Sequence, residues 1–185
     1  MNDQLLDFVN GRLAGRWDLL DDQAVFWAKY GIFVLAAFAG VFGLRELYRR
    51  PIRAVNMALL VVAAAVIAMI VLSVSSGLVV EARPFVSDRD TVQLLKHGKD
   101  NSFPSDHATL AGLIAVAAAL AWPRWAALFL GLGIVVGVSR VVAGVHYPGD
   151  VFAGWVIGGG AAAFGWLALR PNAPRFSKIS LLRAH

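Results

Sequence analysis

Residues 54–80 read AVNMALLVVAAAVIAMIVLSVSSGLVV, twenty-seven residues without one ionisable side chain. As a helix this run rises about 40 Å, more than the roughly 30 Å hydrocarbon core of a bilayer. A stretch that is apolar on every side has no water-facing stripe, so it reads as a membrane span. Four further apolar runs lie around it, at 23–44, 106–122, 124–142 and 150–169. The chain has 185 residues, of which 58% are hydrophobic and 16% charged, against about a quarter charged in soluble domains. Its mean hydropathy is +0.65. The sequence therefore predicts an all-α fold: one polytopic membrane bundle over residues 1–185, with about five transmembrane helices.

The ends of the chain read differently. Residues 4–16 (QLLDFVNGRLAGR) place Leu5, Phe8, Val9 and Leu13 on one helical face. This predicts an interfacial amphipathic helix within residues 1–20. Asp3, Asp7, Asp18, Asp21 and Asp22 stand where a cleaved signal peptide needs basic residues. Arginines 45, 49, 50 and 53 fall between the first two spans, Arg124 falls between the third and fourth, and Arg170, Arg175, Lys178 and Arg183 follow the fifth. These segments share one side, which the positive-inside rule makes cytoplasmic, so 170–185 is expected as a cytoplasmic tail. Of the twelve Asp and Glu residues, Glu46 is the one on that side. The loop 81–105 and the short loop at His146 then face outward.

Cysteine is absent, which removes disulfides and thiolate metal sites. The net charge of +5 fits cytoplasmic anchors and an anionic substrate better than nucleic acid. Gly133 and Gly137, and Gly154 and Gly158, are each four apart. Close helix packing and the ordinary abundance of glycine in spans account for this spacing equally well.

The polar residues that topology leaves unexplained lie at the outward helix ends. Arg83-Pro84 follows the second span, Ser105-Asp106-His107 opens the third, Arg140 closes the fourth, and His146 and Asp150 lead into the fifth. Two arginines match the oxygens of a dianionic phosphate. A helix N-terminus at Ser105–His107 offers free N–H groups to an anion. His146 suits attack on phosphorus, with Asp150 four residues on to hold its tautomer if the turn is helical. His107 suits protonation of a leaving group. These parts need neither metal nor cofactor. Singly, each has a plainer reading: Arg83 and Arg140 as headgroup anchors, Asp150 and Ser105 as helix caps, the histidines as interfacial polar groups. Their convergence on one face favours a functional site. A polar-lined transporter is the competing class, but its polar groups belong near the bilayer midplane rather than at helix ends.

Arg83-Pro84, Pro104-Ser105-Asp106-His107 and Ser139-Arg140-x5-His146-x3-Asp150 resemble the three signature motifs of the type 2 phosphatidic acid phosphatase superfamily, which includes the vanadium haloperoxidases. The third motif matches in full. The second has Asp106 where glycine is usual. The first has Ser76 at the position of a family lysine; Lys96 and Lys99 are the nearby cations, and a solvated loop charge is the simpler reading of both. The resemblance implies His146 as nucleophile, Asp150 as its orienting partner and His107 as general acid. It implies that Arg83, Arg140, Ser105 and the backbone N–H of Asp106 hold the phosphate. The Ser-Phe-Pro-Ser-Asp-His stretch, with Arg-Pro-Phe before it, looks like the bacterial undecaprenyl-diphosphate phosphatases of the bacitracin-resistance type. That kinship implies a lipid substrate, the bacterial inner membrane and a site facing the periplasm or exterior. Phosphatidylglycerophosphate and lipid A phosphatases are alternatives that spacing does not separate.

Overall fold

A computed structural model describes residues 2–169 of the chain, so the expected tail at 170–185 lies outside the described residues. Helix α1 covers Asn2–Leu13, α2 Asp18–Arg49, α3 Pro51–Leu78 and the one-turn α4 Pro84–Ser87. Helix α5 covers Asp106–Ala121, α6 Ala126–Val142 and α7 Pro148–Leu169, with a 3₁₀ turn at Pro123–Trp125. Helices α2, α3, α6 (counted with that turn) and α7 are each long and apolar enough to cross a membrane. Helix α5 is as apolar but has only 16 residues, about 24 Å of rise. It packs against α2, α3, α6 and α7 at the centre of the bundle. Being screened from lipid by its neighbours, it does not have to match the hydrocarbon thickness.

Alternating faces build this arrangement. On α3, Met57, Leu60, Ala64 and Ala68 are buried, while Leu59, Val62, Val66, Ile70 and Val74 are exposed. The buried set recurs every three to four residues, and its Ala64 and Ala68 face α5 and α7 with small side chains. The exposed set is as apolar as the buried one, which suits a lipid surround. The chain turns from α2 to α3 at Arg50, whose φ of −146° and ψ of 71° lie outside the helical region, the restriction expected before a proline. Pro51 then starts α3 at the position where a missing N–H costs nothing. At this corner Arg53 bonds Glu46 at 3.0 Å and the Ala121 carbonyl at 3.2 Å. Glu46, the lone acid among the arginines, therefore ties α2 and α3 to the end of α5.

The glycines on α7 pack closely. A Cβ on Gly154 would lie 2.6 Å from the Ser105 carbonyl oxygen, and one on Gly158 would overlap the Thr109 carbonyl oxygen. Gly137 on α6 is filled against by Trp155 and Val151. Gly160, by contrast, faces open space. Close packing is thus the reading for 137, 154 and 158, and simple abundance for 160. Gly158→Ala is expected to destabilise the fold by about 3 kcal/mol, the upper part of the overpacking range. Thermal unfolding in detergent checks this; Gly160→Ala is the control that leaves Tm unchanged.

Helix α1 carries a second face besides the expected apolar one. Its buried side is Leu6 and Asn10, continued by Ala14, while Leu5 and Phe8 are exposed. Asn10 is an apparent misfit on an apolar surface, yet it is 1% exposed. Its Nδ2 donates to the carbonyls of Val92 and Val142, both at 2.9 Å, and its Oδ1 accepts the Val92 N–H at 2.9 Å. Helix α1 is thus bolted onto the loop and α6 through satisfied polar groups. Leu5 and Phe8 remain outward, where a membrane interface suits them.

Candidate active site

The C-terminal ends of α3 and α6 and the N-terminal ends of α5 and α7 meet under the loop 79–105. The turn between α6 and α7 presents His146. Gly144 in this turn has φ +72°, and a Cβ there would run into the Val92 carbonyl oxygen. Glycine meets both demands, the left-handed backbone and the close approach. His146 follows at 1% exposure.

Asp150 reaches back to this turn without a helical i, i+4 register. Helix α7 begins at Pro148, so Asp150 is its third residue. Its Oδ2 accepts the Tyr147 N–H at 2.9 Å, the reach of a capping-box acid. The same oxygen lies 3.5 Å from His146 Nδ1. It also accepts the Ser102 hydroxyl at 2.5 Å. His146 Nδ1 makes its shorter contact, 3.0 Å, with the Ser102 carbonyl. A carbonyl can only accept, so the proton is on Nδ1 and the lone pair on Nε2. Arg83 Nη1 donates to that Nε2 at 3.1 Å. Burial, with Arg140 and Arg83 adding to it, pushes the imidazole below the usual histidine range, against the pull of Asp150. The ring is neutral at pH 7, as a nucleophile requires.

Ser102 is the residue that sequence reasoning passed over. It lies in the quoted Ser-Phe-Pro-Ser-Asp-His stretch, fully buried, and touches both His146 and Asp150. Ser102→Ala removes a hydroxyl from the buried Asp150 carboxylate, whose Oδ1 has no hydrogen-bond partner among the described residues. The expected cost is about 10- to 100-fold in kcat, typical of losing an outer partner of a functional histidine. Steady-state kinetics with circular dichroism as the folding control checks it. Glu81 was also unassigned. Burial first, then the Asp150 carboxylate, pushes its carboxyl up to about 7.

The two arginines differ. Arg83 caps α4 and is spent on protein partners: Nε on Asp100 at 2.9 Å, Nη1 on the Val145 carbonyl at 2.9 Å, Nη2 on the Asn101 carbonyl at 3.3 Å. The Arg83 hydrogen bond holds the Asp100 carboxyl below the usual carboxylate range. Arg140 is 2% exposed and uses only Nη1, on the Ala28 carbonyl at 3.0 Å. Its Nε and Nη2 are buried without a partner among the described residues. These two N–H groups form one edge of the guanidinium, the fork that takes two oxygens of one phosphate.

Helix α5 supplies the remaining predicted residues. Ser105 is its N-cap, buried, with Oγ accepting the Ala108 N–H at 3.4 Å. That leaves its hydroxyl proton for another acceptor. Asp106 turns its carboxylate onto its neighbour, 2.8 Å from the His107 N–H and 3.1 Å from His107 Nδ1. His107 sits at the rim, its side chain 29% exposed. No hydrogen bond joins this pair to the His146 network among the described residues. The position of the family lysine is filled differently. Asn101 Nδ2 donates to Ser76 O at 2.9 Å, Ser76 Oγ at 3.1 Å and Val79 O at 2.8 Å, closing the end of α3. Lys96 and Lys99 are exposed, as solvated loop charges. The structure thus joins Arg83, His146, Ser102 and Asp150 in one hydrogen-bonded chain. Beside it stand a buried arginine with two free donors and a second histidine held by a carboxylate.

The chain is similar to known proteins in sequence and in fold. The chain is 32% identical over 164 residues, 89% of its length, to the "Bacitracin transport permease protein BcrC" of Bacillus licheniformis, of which it covers 78%. It is 34% identical over 141 residues to the "Undecaprenyl-diphosphatase" of Sulfolobus acidocaldarius, covering 75% of this chain and 66% of that one. The crystal structure of Aquifex aeolicus LpxE superposes with a TM-score of 0.71 at 23% identity, over 90% of this chain and 94% of that one, a likeness of fold. Residues 55–173, which carry all three motifs and nearly all of the four helices that meet at His146, match the family model described as "PAP2 superfamily", and the chain belongs to that superfamily of phosphatases.

Proposed function

We propose that this membrane phosphatase removes the terminal phosphate of undecaprenyl diphosphate at the outer face of a bacterial cytoplasmic membrane, through a phosphohistidine on His146. The observation that carries the reading is the buried Arg140 fork with two unpartnered donors, next to a neutral His146 whose Nε2 carries the lone pair. An unpaired guanidinium edge inside a helix bundle is costly unless an anion completes it. The named activity of the Sulfolobus relative supports the substrate. The Bacillus licheniformis relative is named a permease. Here the ionisable groups cluster at helix ends around a histidine, an arrangement made for phosphoryl transfer rather than passage.

The reaction follows from the positions. The phosphate enters the Arg140 fork and takes over the Arg83 Nη1 contact with His146. His146 Nε2 forms a bond to phosphorus as the bond from phosphorus to the bridging oxygen breaks, its electron pair leaving on the lipid phosphate. His107 donates a proton to that oxygen. Asp150, through its contact at Nδ1 and through Ser102, favours the ring carrying positive charge. Ser105 and the Asp106 N–H hold the remaining phosphate oxygen. Water then attacks phosphorus while His107 takes its proton, the bond from phosphorus to Nε2 breaks with its electron pair returning to the ring, and inorganic phosphate leaves. The arginines supply the positive charge that a metal supplies in other phosphatases.

The test is phosphate release in detergent from undecaprenyl diphosphate, phosphatidylglycerophosphate and lipid A, each with and without EDTA. Undecaprenyl diphosphate is expected to be turned over with the highest kcat/KM, and EDTA to change nothing. A higher kcat/KM for either other lipid overturns the substrate, and abolition by EDTA overturns the metal-free mechanism. Sidedness rests on the charge asymmetry of the loops. It is tested by labelling cysteines introduced at positions 12 and 49 from outside intact cells, where reaction at 12 alone is expected.

A further inference from the structure

The loop over the site carries a third histidine that neither motif nor spacing singled out. The His97 ring stands 6.3 Å from the His146 ring, centroid to centroid, with the planes 70° apart. Its Nδ1 lies 3.6 Å from Asp100 Oδ1, the same oxygen that bonds Arg83 Nε. It lies 3.4 Å from the Gly98 carbonyl. These contacts engage Nδ1, and Nε2 has no partner among the described residues. The charged groups around the ring are Arg83, Arg140 and Asp100, with His146 opposite. Meanwhile the place of the family cation is closed by Ser76 and Asn101.

We propose that His97 is a further phosphate-contacting side chain, supplying from the loop the donor that is missing at Ser76 to an oxygen of the phosphoryl group held between His146 and Arg140. This rests on the reading of the site given above. Burial, Arg83 and Arg140 push His97 below the usual histidine range, while the Gly98 carbonyl and Asp100 pull the other way. A dianion between the arginines offsets their repulsion of the ring's proton. Phosphate binding therefore takes up a proton at His97, and the bound ring donates an N–H to the phosphate. Asp100 fixes the ring from behind, as a carboxylate fixes a functional histidine elsewhere.

The experiment measures competitive inhibition by inorganic phosphate and kcat/KM for undecaprenyl diphosphate, from pH 6 to pH 8, in the full chain. Wild type, His97→Ala and His97→Lys are compared, with His146→Ala as the reference for the site. The expected result for His97→Ala is a roughly 10-fold weaker phosphate Ki and a 10- to 100-fold lower kcat/KM, the span seen when a functional partner is removed. The ratio of mutant to wild-type Ki should grow as pH falls from 8 to 6. His97→Lys should recover at least half of the lost phosphate affinity. A merely structural role moves neither the pH trend nor the lysine rescue. Phosphate affinity unchanged in His97→Ala, a Ki ratio independent of pH, or no recovery by lysine overturns the inference. Full turnover in His146→Ala overturns the site itself. Loss of turnover there, with His97→Ala unchanged, sinks the role of His97 alone.

Discussion

Replacing His146 with asparagine will lower kcat/KM for the lipid diphosphate by about 10⁴-fold or more, the scale on which enzymes lose activity when a nucleophile is removed. Asparagine fills much of the same space, so the loss reports chemistry rather than packing. Wild type, mixed with substrate labelled in its terminal phosphate and quenched in base, will carry the label on the protein as an alkali-stable, acid-labile adduct. The variant will carry none. A labelled variant, or one retaining a tenth of wild-type activity, would refute the assignment. The protonation state gives a second signature. His146 must be neutral to attack, and burial with two nearby arginines lowers its affinity for a proton. Activity should therefore persist as pH falls through the ordinary histidine value of about 6.5 and fail only below it. A half-loss above pH 7 on that limb would contradict the buried, arginine-flanked ring.

Why His146 could be singled out in the sequence, and Ser102 and His97 could not, follows from how each is held. His146, Arg140 and Asp150 sit within eleven residues of one another. One helix end, one turn and one helix start bring them together whatever the rest of the fold does. The spans were legible for a similar reason, since apolar runs of bilayer length declare themselves without tertiary detail. Ser102 acts on residues 44 and 48 positions away. Its partners exist only once α5 and α7 have docked through Gly154 and Gly158. His97 depends on the course of the loop 79–105, which Asn10 of α1 pins at Val92. An asparagine on an apolar helical face looks like a solvent-side residue until those carbonyls arrive. The i, i+4 argument for Asp150 named a residue that does stand 3.5 Å from His146 Nδ1, but not for the reason given: the turn is not helical, and the carboxylate arrives because it caps α7.

Arg140 yields the prediction that separates function from stability. Arg140→Lys keeps a positive charge but replaces a planar fork by a single point. One ammonium cannot span the Ala28 carbonyl and two phosphate oxygens together. The expected loss in kcat/KM is about 10³-fold, the lower end for an arginine that stabilises a transferring phosphoryl group. Arg140→Met is expected to lose as much or more. Its empty form should nevertheless be more stable than wild type by about 1 kcal/mol or more, because a buried guanidinium with two unsatisfied donors gives way to an apolar side chain of similar length. Inorganic phosphate should raise Tm for wild type by completing the fork, and leave Arg140→Met unmoved. Thermal unfolding in detergent with and without phosphate, alongside turnover, reads all of this. If Arg140→Lys keeps activity within about threefold, or if Arg140→Met is less stable than wild type without phosphate, the free edge of Arg140 is not the anion site. A destabilised empty wild type that its substrate repairs is the behaviour of a residue kept for binding at a cost in folding. The bundle carries that cost because the same buried, water-poor setting that makes the bare guanidinium expensive strengthens its hold on the phosphate.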